Sequence, residues 1–476
     1  MRALLAVMAN NMVFNKRLDL MNKILRTPFH RIEKYGNEKI YACLNNDTEV
    51  ISEAISIITV GVTSGVAILC CFIYLGISSL YGLLAAFVFV VIGAGVLMLV
   101  SRNAERYYES GRDIQNSFFK FIHDMVEGFK ELSINYKRRN DFNADMGNSC
   151  EEYRKVRIKA AMVGANVNFA GELLALFILG GMAFLFPLVF TDVRNETLRD
   201  FVFLFLFMKG PIDNVMNLIP RISMVKVSWK RINEILDEIS ELEDKSEAAS
   251  ISPEEKITLQ LKDVTFQYKN GEDAGETSFG IGPINSTFEP GEIVFITGGN
   301  GSGKSTLAKI ITGLYVPDSG EIAINGSKVD AIAKGQYMSV IYSDYFLFKK
   351  LYGIEYLEKE GVIQDYLNTL RIQDKLTISN GELSTISLSS GQKKRVALLI
   401  SYLEDKQVYL FDEWAADQDP EFRRFFYYTL LPEMKARGKC VIAITHDDRY
   451  FNVADKIIKM ESGQVIEEKA VEMFSV

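Results

Sequence analysis

The sharpest chemical signal in the sequence is Gly298-Gly299-Asn300-Gly301-Ser302-Gly303-Lys304-Ser305, followed by Thr306. This G-x-x-x-x-G-K-S pattern directly follows an apolar strand candidate and opens a helix, the context it requires. Glycines permit the backbone conformations that aim successive N–H groups at phosphate oxygens, and a helix N-terminus adds a field favourable to anions. Lys304 is therefore expected to reach the β- and γ-phosphates of a nucleoside triphosphate, and Ser305 to bind Mg²⁺. Further along, Val408-Tyr409-Leu410-Phe411-Asp412-Glu413 is an apolar strand ending in two acids. Asp412 would hold the hydration shell of the metal, and Glu413 would orient and polarise the water that attacks the γ-phosphate. An acidic pair at a strand end is by itself more often a solvated loop; the glycine loop upstream gives this pair a task.

Between these two motifs lies Leu388-Ser389-Ser390-Gly391-Gln392-Lys393-Lys394-Arg395. It resembles the signature sequence of ABC ATPases. In the order of that family come the glycine loop, the Asp412-Glu413 pair, Asp419 in the place of the D-loop aspartate, and His446 in that of the switch histidine. The resemblance implies ATP and Mg²⁺ as ligands and Tyr268, in Phe266-Gln267-Tyr268, as the aromatic residue that stacks on adenine. It implies catalytic roles for Lys304, Glu413 and His446, with ATP held by residues 298–306. It also implies that Ser389, Ser390, Gly391 and Gln392 of one copy complete the site of another, hence a homodimer. More narrowly, Phe411-Asp412-Glu413-Trp414-Ala415-Ala416-Asp417-Gln418-Asp419-Pro420, Phe422-Arg423-Arg424 and His446-Asp447-Asp448-Arg449-Tyr450-Phe451 look like the cyclic-peptide and siderophore exporter branch, with its syringomycin, pyoverdine and microcin exporters. A peptidic cargo and the bacterial cytoplasmic membrane, with the ATPase in the cytoplasm, are what that likeness implies.

The elements that must position these residues divide the chain in two. Residues 256–476 read as an α/β P-loop ATPase domain: strand candidates at 292–296, 407–411 and 440–445 alternate with helical patterns at 304–314 and 391–403. Residues 1–235 read as an α-helical transmembrane domain of the ABC exporter type, and the acidic, polar stretch 236–255 as the linker. Residues 54–100 contain no charge, far more than the roughly 20 residues one crossing needs, so the run must fold back near 76–79. Four spans are expected, at 54–76, 80–100, 160–190 and 201–222. The segment 101–159 carries twelve Lys/Arg against ten Asp/Glu and should be cytoplasmic. The apolar patch 4–9 reads as the end of a helix, not as an export signal. Coupling helices that touch the ATPase are implied at about 28–47 and 119–135.

Composition agrees with a membrane-and-globular chain. Of 476 residues, 48% are hydrophobic and the net charge is −8, which argues against a nucleic-acid partner. Five scattered cysteines without a C-x-x-C pair favour neither a zinc site nor a disulfide framework. Glu172, Lys209 and Asp213 fall at membrane depth, where ionisable groups are expensive; either they line a cargo route, or Lys209 and Asp213 pair one turn apart and stabilise a crossing. Two departures from the family pattern stand out. Ser343, in Ile341-Tyr342-Ser343-Asp344, occupies the place of the usual Q-loop glutamine, so contact there is expected to be indirect or through Asp344. And where such exporters have six spans, four are counted, with residues 1–27 resembling the cytoplasmic end of the second: the first two either lie upstream or are missing from a shortened form.

Overall fold

The computed structural model describes residues 2–35, 40–41, 43–78, 83–84, 87–88, 91, 95, 121–181, 184, 195–240, 256–268, 279–329 and 331–471. The chain divides into two compact units, one of Met1–Leu18 with Ala42–Glu234, the other of Asp19–Tyr41 with Ile235–Val476.

The first unit is helical. Long helices cover Arg2–Arg26, Thr48–Ser78, Tyr136–Gly180 and Asn195–Ser240, and a π-helical turn at Cys43–Asp47 leads into the second of them. Among the described residues two stretches are long and apolar enough to cross a bilayer: Cys43–Ser78, with mean hydropathy 2.2, and Arg199–Leu218, with 1.3. The helix Thr48–Ser78 buries Ile57, Ser64 and Cys71, a heptad-spaced seam. Ile58, Val62, Val66, Leu69, Ile73 and Ile77 form a second stripe, exposed to as much as 83% at Ile77. Such a stripe would be costly in water and is at ease in hydrocarbon.

Contacts along this helix fix how it pairs. Ser228 donates to Asp47 at 2.8 Å at one end, and Tyr74 donates to Asp200 at 3.2 Å at the other. Midway, a Cβ on Gly61 would meet Leu218 at 3.2 Å, so the small residue permits close approach. Partners thus fall in sequence as their mates rise, the mark of an antiparallel pair. The Arg2–Arg26 helix joins the same end, with Arg17 donating to Thr48 at 2.9 Å and the Lys16 ammonium over the Trp229 ring.

Of the expected spans, 80–100 lies largely outside the described residues, and 160–190 is described only to 181 and at 184. The patch 4–9 lies within Arg2–Arg26. The helix Asn195–Ser240 runs unbroken through Gly210-Pro211 and into the stretch expected to be linker, so Asp237 and Glu238 stand on its final turns.

The second unit is built on sheets. Its strands are β1 (Leu259–Gln267), β2 (Gly280–Phe288), β3 (Ile293–Gly298), β4 (Ser319–Ile324), β5 (Ser327–Lys328), β6 (Met338–Ile341), β7 (Ile378–Ser379), β8 (Glu382–Leu383), β9 (Val408–Asp412), β10 (Cys440–Ile444), β11 (Lys456–Glu461) and β12 (Gln464–Ala470). One sheet has the order β12-β11-β3-β10-β9-β6, parallel except at the β12 edge; a second, antiparallel, has the order β2-β1-β4-β5. The central strands β3, β9 and β10 are largely apolar up to their carboxyl ends because both faces are covered. Ile293 and Phe295 join one core with Tyr409, Phe411, Val441 and Ala443. Val294 and Ile296 join the other with Val408, Leu410, Ile442 and Ile444. The helices Lys304–Ile311 and Ser390–Glu404 follow. The alternation places the carboxyl ends of β3, β9 and β10 side by side, the place where open α/β sheets bind ligands.

Phe295 is fully buried at the centre of this sheet. Phe295→Ala should cost about 3–5 kcal/mol, read as a lowered unfolding temperature, whereas Ile77→Ala on the exposed stripe should leave that temperature nearly unchanged.

Candidate functional site

The loop after β3 is shaped by backbone that only glycine adopts readily. Gly298, Gly301 and Gly303 have φ of 145°, 75° and 100°. A Cβ on Gly298 would lie 2.2 Å from the Met460 carbonyl oxygen, and one on Gly303 would lie 2.6 Å from Ile281. Gly299 meets nothing within 4 Å, and its φ is not positive. The helix Lys304–Ile311 starts at Gly303 without a side-chain cap, so its first N–H groups face the loop unclaimed by one. Lys304 is buried, and its Nζ donates to the carbonyls of Gly298 at 3.1 Å and Gly299 at 2.9 Å. Burial holds its ammonium below the usual lysine range, while the charges of Glu413 and Asp412 pull the other way. A cation held between carbonyls at the mouth of an N–H-lined loop suits a polyphosphate.

Asp412 ends β9 and is 2% exposed. Burial, reinforced by Glu413, pushes its carboxyl above the usual range, against the pulls of the Ser305 hydroxyl, the Ser343 backbone N–H and Lys304. Among the described residues its Oδ1 is buried without a partner, as is the Ser302 hydroxyl. An orphaned carboxylate oxygen beside a serine hydroxyl is the hard oxygen donor set that Mg²⁺ prefers. Ser305 and Asp412 therefore fit that ion.

Glu413 follows in a left-handed conformation, φ 51°, uncommon for a residue other than glycine. Its N–H donates to Ile444 O at 3.1 Å, and Lys394 Nζ donates to its carbonyl at 2.9 Å. The parallel register of β9 with β10 sets Asp412 opposite Ile444 and so brings His446 to the same edge. His446 Nε2 lies 3.1 Å from Glu413 Oε1. Tyr268, just past β1, stands edge-on to Phe266 and Tyr315 and shares a hydrogen bond with Thr306 at 3.1 Å. The structure thus brings together residues 298–306, Asp412, Glu413, His446 and Tyr268.

The signature residues belong to a different arrangement. Ser389 caps the helix Ser390–Glu404, its hydroxyl accepting from Gln392 N while the Gln392 side chain accepts from Ser389 N. Acting there as acceptor, the hydroxyl keeps its own proton to donate. A Cβ on Gly391 would come within 2.8 Å of the Asp417 carbonyl oxygen, and Ser390 is exposed. Among the described residues no hydrogen bond or ion pair joins 389–392 to the 298–306 loop of the same chain. Asp419 caps the helix Pro420–Phe425 and pairs with Arg395 at 2.6 Å. The Phe422 N–H, with Arg395, holds its carboxyl below the usual range. The Ser343 side chain is exposed; its backbone serves Asp412. Glu172, Lys209 and Asp213 are exposed, and Lys209 and Asp213 form no ion pair with each other.

Two further groups of contacts involve residues outside the motif positions. Lys394, Arg395, Trp414, Asp417 and Gln418 knit the signature helix to the segment after β9; the adjoining Lys394 and Arg395 in the signature were a signal left unused. Glu33, on the helix Phe29–Tyr35, accepts from Lys309 at 3.2 Å and from the Tyr315 hydroxyl. Glu33 lies in the segment 28–47, where the resemblance implies a helix that touches the ATPase, although nothing local marks which residues, up to 282 positions away, it meets.

Comparison with known proteins places this geometry. A family profile described as ABC transporter matches residues 281–416. The chain is 33% identical over 465 residues to the ATP-binding protein SyrD of Pseudomonas syringae pv. syringae, covering 94% of this chain and 81% of that protein. It is 23% identical to a probable ABC transporter ATP-binding/permease protein of Haemophilus influenzae, over 94% of this chain and 82% of the relative. A bacterial Atm1-family ABC exporter solved with ATP bound superposes with a TM-score of 0.79 at 15% identity, covering 97% of this chain and 83% of that one.

The glycine geometry separates two neighbouring positions. Gly298→Ala should abolish binding of a fluorescent ATP analogue, because its Cβ collides with the Met460 carbonyl, whereas Gly299→Ala should bind within about threefold of the parent, a shift well under 1.4 kcal/mol.

Proposed function

The chain belongs to the ABC transporter family, as an ATP-hydrolysing exporter whose helical part is integral to a membrane, and we propose that it works as a homodimer exporting a peptidic secondary metabolite or siderophore precursor from the cytoplasm. The membrane in this reading is the bacterial cytoplasmic membrane, with the ATPase unit on its inner side. The cargo class rests on the likeness of residues 411–420, 422–424 and 446–451 to the cyclic-peptide and siderophore exporter branch, and the likeness to SyrD, over 94% of the chain, supports exporter architecture through both the ATPase motifs and the helices.

The geometry supports the following residue roles. The N–H groups of 299–306 cradle the β- and γ-phosphates, Lys304 turns from its two carbonyl partners to the γ-phosphate, and Tyr268 offers its ring to adenine. Ser305 and Asp412 would hold Mg²⁺, which would supply neutralising charge to the phosphate oxygens. Glu413 takes a proton from water as the water oxygen bonds to the γ-phosphorus and the bond to ADP breaks; His446, 3.1 Å away, keeps the carboxylate on line. Ser389, Ser390, Gly391 and Gln392 of the second copy close the site over the γ-phosphate, with the capped hydroxyl of Ser389 as donor. Loss of that phosphate removes the shared contact and lets the two ATPase units part. Glu172, Lys209 and Asp213 line the cargo route, exposed as they are and not paired with each other.

Glu413→Gln keeps the shape and removes the base. Turnover should fall about a hundredfold or more while ATP-bound dimers accumulate on size exclusion; undiminished hydrolysis would refute the assignment. For the cargo, ATPase activity in lipid vesicles should rise severalfold with cyclic peptides or siderophore precursors. Stimulation only by lipids or unrelated drugs would replace the peptide reading with theirs.

A further inference from the structure

We infer that Lys394 is a positioning residue for ATP hydrolysis: from the signature helix it fixes the backbone of Glu413 and thereby the place where that carboxylate meets water. The inference rests on the reading of Glu413 as the group that polarises the attacking water. Lys394 stands one turn into the helix Ser390–Glu404 and is only 6% exposed. A buried ammonium persists only where its protons are taken up. Here the takers are the Glu413 carbonyl at 2.9 Å and the Asp417 carboxylate at 2.8 Å.

The effect of this grip is specific to Glu413. The peptide before its Cα is held by Ile444, and the one after it by Lys394, so its left-handed backbone is clamped on both sides. Its side chain then leaves the strand end in the direction that meets His446. A second tie runs in reverse, with the Trp414 indole N–H donating to the Lys394 carbonyl at 2.8 Å. Other links in this region, Gln418 to Gly391 at 3.1 Å and Arg395 to Gln418 at 2.9 Å, hold the neighbouring loop but do not touch Glu413. One rigid helix therefore presents Ser389 and Gly391 to the second copy's nucleotide while carrying the cation that anchors this copy's glutamate.

The test is a double-mutant cycle on the full chain in lipid vesicles, with kcat and KM for ATP measured separately and residual rates read by single-turnover release of labelled phosphate. Lys394→Met should lower kcat about tenfold to a hundredfold with KM within about threefold, because ATP is still bound and only the glutamate is misplaced. Combined with Glu413→Gln, it should cause no further loss, since a carboxylate that is gone cannot be mispositioned. A role in folding alone would instead raise KM with the fall in kcat, or multiply onto Glu413→Gln, and either result overturns the inference. Wild-type kcat in Lys394→Met beside a dead Glu413→Gln overturns it while leaving the ATPase assignment intact; full turnover in Glu413→Gln alone overturns both. If Lys394→Met does not fold, Asp417→Asn decides: a smaller fall in kcat with KM held and no added loss on Glu413→Gln supports the inference, and an unchanged kcat overturns it.

Discussion

Everything in the second unit depends on keeping opposite charges out of water at one place, the carboxyl ends of β3 and β9. Lys304 and Asp412 are both buried there, where an ion without partners would be strongly disfavoured. Lys304 donates to two backbone carbonyls, and among the described residues one oxygen of Asp412 has no partner. A triphosphate would offer acceptors to Lys304, and its metal would take up the free oxygen of Asp412. The surrounding sheet supplies the rigidity, with central strands packed on both faces so that the loop and the acids cannot relax away from the ligand.

The membrane unit rests on a different balance. Among the described residues its helix Thr48–Ser78 leaves an apolar stripe exposed and makes polar contacts at its ends, Asp47 near one with Ser228 and Tyr74 near the other with Asp200. Between them a glycine lets two helices approach. In hydrocarbon, where the hydrophobic effect does not drive helices together, end contacts and close packing are what define a pair.

Much of this was legible in the sequence because it is local. The glycine loop, the strand runs at 292–296, 407–411 and 440–445, and the capping pattern of the signature are each set by neighbours within a few residues, and the strands and helices stand within two or three residues of the expected bounds. The antiparallel sheet was not foreseen: its strands are interrupted by bulges, as between Leu261 and Val264, which break the period-two signal. Nor was the role of Lys394, which comes from a carbonyl and a carboxylate brought to it by a distant segment; for Glu33 the segment 28–47 was expected to meet the ATPase, but not the particular partners, Lys309 and Tyr315. Asp237 and Glu238 looked like linker because they are acidic, yet an exposed helix end accommodates acids as readily as a loop does.

The most direct test of the account is phosphate release from ATP by the purified chain in lipid vesicles, measured beside its Lys304→Ala variant. Magnesium-dependent release by the parent that the variant lacks is the result predicted here. Release that survives loss of Lys304, or no release by the parent with ATP and magnesium supplied, would contradict it.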